Sequence, residues 1–198
     1  MPTYEGEQNV EPRRKMMPIG PLMIEHRLIE RMILRIAREV EQMRRTGKAD
    51  ILFVSQAVDF IRMYADRCHH GKEENILFRE LDKKDLTADQ RRIMEELIEE
   101  HILGRTKVAE IVAARDRYAA GDSTVFEAMV DALSELVEFY PRHIAKEDKN
   151  FFLPVMAHFS QTEKERMLQE GFDFDASLIH EKYRHLVDDL EAHASGRA

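Results

Sequence analysis

Hydrophobic residues recur at intervals of three and four along four long segments of the chain, and polar residues fill the positions between them. This period places the apolar side chains on one face of an α-helix. We expect the first helix to end at Gly47, a residue suited to the left-handed end of a helix, and the second to begin after Asp50. Thr87 and Gln90 are spaced as a capping box for the third helix, and Gly121 separates the third from the fourth. The pattern predicts four long amphipathic helices.

Short connections between long helices place successive helices antiparallel to each other. We therefore predict an all-α fold, in which residues 19–158 form an up-down antiparallel four-helix bundle. The first residues are polar and show no apolar period, so residues 1–18 are expected to be a flexible N-terminal tail. Residues 159–198 are expected to add a C-terminal helical extension, made of a short helix and, after Gly171, a last amphipathic one.

The composition agrees with a helical fold, because only 8 of 198 residues are Gly and 6 are Pro. The formal net charge of −8 leaves no basic stripe that could neutralise phosphates, which argues against a nucleic-acid partner. No apolar run approaches the ~20 residues that span a bilayer, so no membrane partner is expected. Cys68 is the single cysteine, which excludes an internal disulfide and fits a reducing compartment. We expect a cytoplasmic protein without a signal peptide.

An internal repeat relates the second helix to the fourth. The segments that begin at His69 and His143 share Lys at the third position after the His, Glu at the fourth, an acid at the fifth and Phe at the ninth. The bundle then has two halves, and each half pairs a helix that carries one His with a helix that carries His-x-x-x-Glu. The lone His residues are His26 and His101, each in the middle of an apolar stripe.

These residues together point to a metal site. Residues four apart lie on the same face of a helix, so His69 with Glu73 and His143 with Glu147 are two nitrogen–oxygen pairs that project from apolar faces. A single inward His is usually a hydrogen-bonded core residue, and a His/Glu pair is often a surface ion pair. Six such residues in register on four helices favour a metal centre instead. Imidazole and carboxylate in a bundle core suit iron, manganese or zinc, and two bridging carboxylates suit a pair of ions.

The order of these residues resembles that of the hemerythrin-like family, also called HHE cation-binding domains: His26, His69-x-x-x-Glu73, His101, His143-x-x-x-Glu147. The resemblance implies a non-haem centre of two iron ions, bridged by the carboxylates of Glu73 and Glu147. It also implies a small ligand such as oxygen, nitric oxide or peroxide. Oxygen-carrying members have a second His four residues after the His of the third helix, and this chain has Arg105 there.

The evidence for metal binding is weaker for the residues around this set. His70 and Glu74 lie ~100° round an α-helix from His69 and Glu73, so we expect them outside the set, at the surface or behind the ligands. The guanidinium of Arg105 could point toward an open metal position or reach solvent or a carboxylate. His180 is the reserve candidate for a fifth nitrogen. Without metal, one of the two inward Glu carboxyls should take up a proton, because two like charges are buried together.

Three functions remain open. The first is a di-iron protein that binds, senses or detoxifies the small ligand, and an oxidoreductase of this kind would need an external reductant. The second is a non-catalytic regulatory module whose metal state controls a partner. The exposed face of the last helix, residues 176–194, would then contact a partner protein or a second copy of the chain. The third is a protein of iron-centre repair or iron handling.

Overall fold

The computed structural model describes residues 16–195, with side chains up to residue 178. The tail expected for residues 1–18 therefore lies mostly outside the described residues. No strand occurs between residues 16 and 195. In chain order the structure has five helices: α1 (Ile19–Thr46), α2 (Ile51–Phe60, continuing to Leu81), α3 (Ala88–Ala119), α4 (Phe126–Lys146, continuing to Val155) and α5 (Gln161–Ser195).

The helix ends form where the sequence predicts them. The Asp50 carboxylate accepts a hydrogen bond from the backbone N–H of Phe53 and caps α2. Thr87 and Gln90 form the expected capping box at the start of α3. Gly47 follows α1 with a φ of 65° and donates its N–H to the Met43 carbonyl.

The core shows that the first four helices are antiparallel. One apolar cluster joins the start of α1 to the end of α2, the start of α3 and the end of α4, through residues such as Leu22, Leu81, Leu97 and Phe152. A larger cluster fills the other end of the bundle. The buried polar residues lie between these two apolar clusters, so the all-α four-helix bundle places the candidate site in its interior.

Parts of α2 and α4 are π-helical, which the residue spacing did not predict. In α2 the π-helical segments are Ile61–His70 and Glu73–Phe78, and in α4 the segment is Glu147–Phe151. A π-helical turn holds more residues than an α-helical one, so adjacent positions lie closer together round the axis. This geometry changes which side chains of α2 can face the interior.

The C-terminal segment is one continuous helix, α5, rather than the two helices expected from the run after Gly171. No proline interrupts this run, and Phe174 packs against α2 at Gly71, where an added Cβ would lie 2.9 Å from the Phe174 ring. The side chains expected to form an exposed partner face mostly lie outside the described residues, as does His180. In the part of the chain that the structure describes, every helix is too short or too polar to cross a bilayer.

Candidate metal centre

The structure brings the six predicted residues together in the interior of the bundle. Each of the four His side chains and both Glu side chains is at least 98% buried. They come from four helices, at the level between the two apolar clusters: His26 from α1, His69 and Glu73 from α2, His101 from α3, and His143 and Glu147 from α4.

The two Glu carboxylates lie between two groups of imidazoles. Glu73 presents Oε1 to His69 Nε2 at 3.4 Å and Oε2 to His101 Nε2 at 3.3 Å. Glu147 presents Oε1 to His143 Nε2 at 3.2 Å and Oε2 to His26 Nε2 at 3.1 Å. Each carboxylate therefore directs one oxygen to each group, which is the arrangement of a carboxylate that bridges two ions.

The first imidazole group consists of His26 and His69. Their Nε2 atoms lie 2.8 Å apart, and ligand atoms from both rings and from Glu73 and Glu147 fall within 4.8 Å of one another. Two ring nitrogens and two carboxylate oxygens aimed at one point are a suitable donor set for iron, manganese or zinc.

The second imidazole group contains a residue that sequence reasoning set aside. His70 joins His101 and His143, and the ligand atoms of the three rings lie within 4.8 Å of one another. Of the two positions expected for His70, the surface position is wrong: the residue is 2% exposed, and its ring stacks on that of His101 at a centroid distance of 3.9 Å. Burial and the neighbouring His101 and His143 lower the pKa of His70 well below its usual value, so the ring is neutral. The π-helical turn explains why His69 and His70 can both face inward.

Each of the four predicted His ligands is hydrogen-bonded to a carboxylate through Nδ1, the ring nitrogen that does not face the inward Glu residues. The Nδ1 atoms of these rings donate hydrogen bonds of 2.7 to 2.9 Å to acidic side chains. Such bonds fix the tautomer and orientation of a metal-binding imidazole. Each carboxylate is paired in turn with a basic residue. The four sets are His26–Asp148–Arg27, His69–Glu25–Lys72, His101–Glu74–Arg105 and His143–Glu100–Lys146.

These supporting residues follow the internal repeat. Glu25 and Glu100 each precede the lone His of their half, and Glu74 and Asp148 each follow the inward Glu. Sequence reasoning expected Glu74 at the surface or behind the ligands and assigned no supporting role to Glu25, Glu100 or Asp148, although the acid beside each predicted ligand was a usable signal. His70 breaks the repeat, because the corresponding residue in the second copy is Ile144.

Arg105 takes the second of its two expected orientations. Its guanidinium donates to Asp66 at 2.7 Å and to Glu74 at 2.8 Å instead of facing the metal-binding atoms. Glu74 contacts a basic side chain, as its outward position predicts, but it also accepts from His101 Nδ1. Glu74 is therefore a supporting residue behind a ligand.

Carboxylates raise the pKa of two of the buried imidazoles, His26 and His101. Burial opposes the charging of His26, but the carboxylates of Asp148 and Glu147 outweigh burial and raise its pKa to about 10. The carboxylates round His101, with Glu147 first, likewise outweigh burial and raise its pKa to about 11. Burial would raise the pKa of Glu147, but the imidazoles of His143 and His101 lower it well below its usual value. Glu147 is therefore not the one inward carboxyl that was expected to take up a proton.

The buried polar atoms of the site fit a pair of cations. Within the described residues, several of them have no hydrogen-bond partner: both carboxylate oxygens of Glu73 and of Glu147, Nε2 of His101 and of His143, and both ring nitrogens of His70. Buried polar atoms without partners are costly, and buried charges are normally paired or coordinate metals. The donor set satisfies this requirement with metal ions of the kind that imidazole and carboxylate prefer.

Fold and site together define a helical-bundle protein with an interior metal-binding arrangement of His and carboxylate residues. The chain belongs to the hemerythrin family: the model of the hemerythrin HHE cation-binding domain matches residues 17–153. This match confirms the family that the order of His and Glu residues indicated.

Similar proteins include uncharacterized proteins of Mycobacterium bovis and Mycobacterium tuberculosis. Each is 21% identical to this chain over 171 residues, a match that covers 85% of this chain and 66% of the relative. The chain thus spans somewhat less than two thirds of the length of these relatives. No solved structure matches it.

Proposed function

We propose that this protein binds two ions, in the first place iron, and uses them to bind, sense or detoxify a small ligand such as oxygen, nitric oxide or peroxide. Manganese or zinc suits the same donors. His26 and His69 would hold one ion and the three imidazoles of the second group the other, and the carboxylates of Glu73 and Glu147 would be shared between them. The full ligand set is His26, His69, His70, Glu73, His101, His143 and Glu147.

The position of the two carboxylates carries this proposal. Each directs one oxygen to each imidazole group, at distances of 3.1 to 3.4 Å from a ring nitrogen, and none of the four oxygens has a hydrogen-bond partner. A core built only for stability would pair these atoms with donors or replace them by apolar groups.

His70 supplies the fifth nitrogen. Its ring lies flat against His101 and edge-on to His143, and neither of its nitrogens has a hydrogen-bond partner. Oxygen-carrying relatives place the corresponding nitrogen on the third helix, at the position that Arg105 fills here. In this chain the nitrogen would come from the second helix.

The ions supply sites for small ligands and the electrons for redox chemistry. The protein holds four of the imidazoles in one tautomer through Asp148, Glu25, Glu74 and Glu100, and encloses the site between the two apolar clusters of the core. The imidazole and the guanidinium on either side of Glu74 keep its carboxylate ionised: burial raises the pKa of Glu74, but His101 and Arg105 outweigh it and lower the pKa.

Elemental analysis of the purified protein tests the paired site, and we expect close to two ions per chain. An anaerobic optical titration of the iron-loaded protein, first with oxygen and then with nitric oxide, tests the ligand class. A single ion per chain that survives removal of the His101 and His143 side chains would contradict the paired site. Two ions per chain with a spectrum that no small ligand changes would contradict the ligand-binding role alone.

One observation favours a regulatory role as a second candidate. Contacts run from His69 through Glu25 and Lys72 to Asp175 on α5, where Lys72 Nζ lies 2.7 Å from Asp175 Oδ1. The metal centre is thereby connected to the C-terminal helix, which was expected to offer a partner surface. Hydrogen exchange in α5, compared between metal-loaded and chelated protein, tests this candidate. Equal exchange in both states would contradict it.

A further inference from the structure

A cleft of about 550 Å³ opens between α2 and α3 and reaches the second imidazole group. Its walls are mostly apolar, and its inner surface includes two buried rings. Wall and floor residues are Ile61, Ala109, Val112, Ala113, Tyr140 and His70. A volume of this size lies in the range of clefts that hold organic molecules, and is far larger than a diatomic needs.

His70 forms the inner end of the cleft and has the least support of the five imidazoles. The other four rings each donate through Nδ1 to a carboxylate at 2.7 to 2.9 Å. The nearest carboxylate oxygen to His70 Nδ1 is Oδ1 of Asp66, at 3.4 Å, and that oxygen accepts from Arg105 at 2.7 Å instead. A buried imidazole without a hydrogen bond therefore faces a cleft, where a polar group of a ligand could reach it.

The charges round the cleft favour a neutral ligand. Arg105 is paired with both Asp66 and Glu74, and Asp116 is paired with Arg115 at 2.7 Å. Arg62 also lines the cleft, but its side chain is exposed to water, where an ion pair with a ligand is worth little. The interior of the cleft thus offers apolar walls and hydrogen-bonding groups without a spare charge.

We propose that this cleft binds a neutral organic molecule with an apolar body and one oxygen-bearing polar group, the class that includes alkyl alcohols and alkyl hydroperoxides. The apolar body lies along the α3 wall, at Ala109, Val112 and Ala113. The polar group lies at the inner end, beside His70. This inference rests on the proposed function only in that the bound molecule would lie next to the metal centre; binding in the cleft itself does not require the metal.

Saturation-transfer NMR with 1-hexanol as the probe tests the cleft in the full-length protein as purified. We expect saturable binding that weakens at least tenfold in the double variant Ala109→Leu/Ala113→Leu, because two leucine side chains fill the cleft from exposed helical positions. Leucine keeps nearly the helix propensity of alanine, so the variant should retain its circular dichroism. Ala119→Leu is the matched control at an exposed position of the same helix outside the cleft, and its affinity should stay within twofold.

Hexanoate serves as the charged counterpart of the probe and should bind at least fivefold more weakly than 1-hexanol. Absence of saturable binding, or equal binding in the double variant, would overturn the cleft as a ligand site. Tighter binding of hexanoate would overturn the neutral class. Metal content measured on the same samples separates the two proposals. Two ions per chain without hexanol binding contradicts only the cleft, and hexanol binding without a metal pair contradicts only the proposed function.

Discussion

The two halves of the candidate centre have the same supporting residues but different surroundings. In both halves the ligands are supported by an acid and a lysine. The acid precedes the lone His, and the lysine follows the paired His by three residues. The pairs are Glu25 with Lys72 and Glu100 with Lys146. On the His26 side, Lys72 is buried beneath Asp175 of α5. The other imidazole group carries the additional His70 and faces an open cleft.

This difference separates two properties of the molecule. The repeated residues build the shared, nearly symmetric part, in which two carboxylates lie between two imidazole groups. His70, which stands where the second copy of the repeat has Ile144, and Arg105 both line the cleft beside the second imidazole group, so we expect them to influence from which side a ligand can approach. Metal binding and ligand choice should therefore respond to different substitutions.

The largest effect is expected when one bridging carboxylate is removed. Glu73→Ala should leave at most one weakly held ion per chain, because both imidazole groups lose an oxygen donor. Its neighbour provides the control: Glu74→Ala removes only the support of His101, so the chain should retain about two ions with affinity lowered roughly 10–100-fold. Elemental analysis after dialysis measures both. If Glu74→Ala loses the ions and Glu73→Ala keeps them, the assignment of the bridge is wrong.

Removal of the metal should lower thermal stability strongly. Each ion that binds only the native state at a thousand times its Kd adds about 4 kcal/mol. For a domain of this length, that corresponds to a fall in Tm of roughly 8–16 °C for each ion removed by chelation. Differential scanning calorimetry with and without chelator measures the shift, and re-addition of the metal should restore the Tm. An unchanged Tm would show that the site binds nothing in solution.

The two repeated lysines should differ in their contribution to stability. Lys72→Met leaves the carboxylates of Glu25 and Asp175 without their buried cation, which should cost about 3 kcal/mol. Lys146→Met removes a more exposed partner of Glu96 and Glu100 and should cost less than about 1 kcal/mol. Urea unfolding of the metal-loaded variants compares them. Equal losses would mean that α5 does not enclose its half of the site.

Substitution of His70 should test the asymmetry directly. His70→Ile reproduces the residue of the second repeat at Ile144. Because it removes a proposed ligand, it should weaken one of the two ions by at least about tenfold, the lower bound for loss of a supporting residue, while the other keeps its affinity. Stepwise metal titration resolves the two affinities. Two unchanged affinities would remove His70 from the ligand set.

A smaller effect is expected from pH in the metal-free protein. The pKa values of His26 and His101 are raised to about 10 and about 11, above the usual value of 6.5. The stability that these shifts provide is fully present below about pH 6.5 and is lost as the pH rises through the raised values. The Tm of the metal-free protein should therefore fall steadily between pH 7 and pH 10. A rising Tm over that range would contradict the protonated imidazoles.

The sequence was sufficient to predict the four helices, the caps at Asp50 and Thr87, and the convergence of six residues from four helices. These features depend on a local period, on short-range capping patterns and on spacing along a helix. Hydrogen bonding across the bundle does not follow from such patterns. For this reason, Glu25, Glu100 and Asp148 were not recognised as supports of the imidazoles, although each lies beside a predicted ligand.

His70 was misplaced for a different reason. The prediction assumed α-helical geometry, which turns adjacent residues ~100° apart. The structure has π-helical hydrogen bonding in Ile61–His70 instead, which the spacing of apolar residues does not reveal. This error did not affect the predicted inward position of Glu73, because His69 and Glu73 remain on one side of the helix.

The π-helical segments also bear on how the chain tolerates the loss of a residue. A π-helical turn contains more residues than a regular one, so a single-residue deletion within Ile61–His70 can be absorbed by a return to α-helical hydrogen bonding. The helix and its loops would survive such a deletion, but His69 and His70 could no longer both face inward. We therefore expect deletions in this segment to disrupt the proposed five-nitrogen centre more than the bundle, so that a descendant with the same fold would carry fewer ligands.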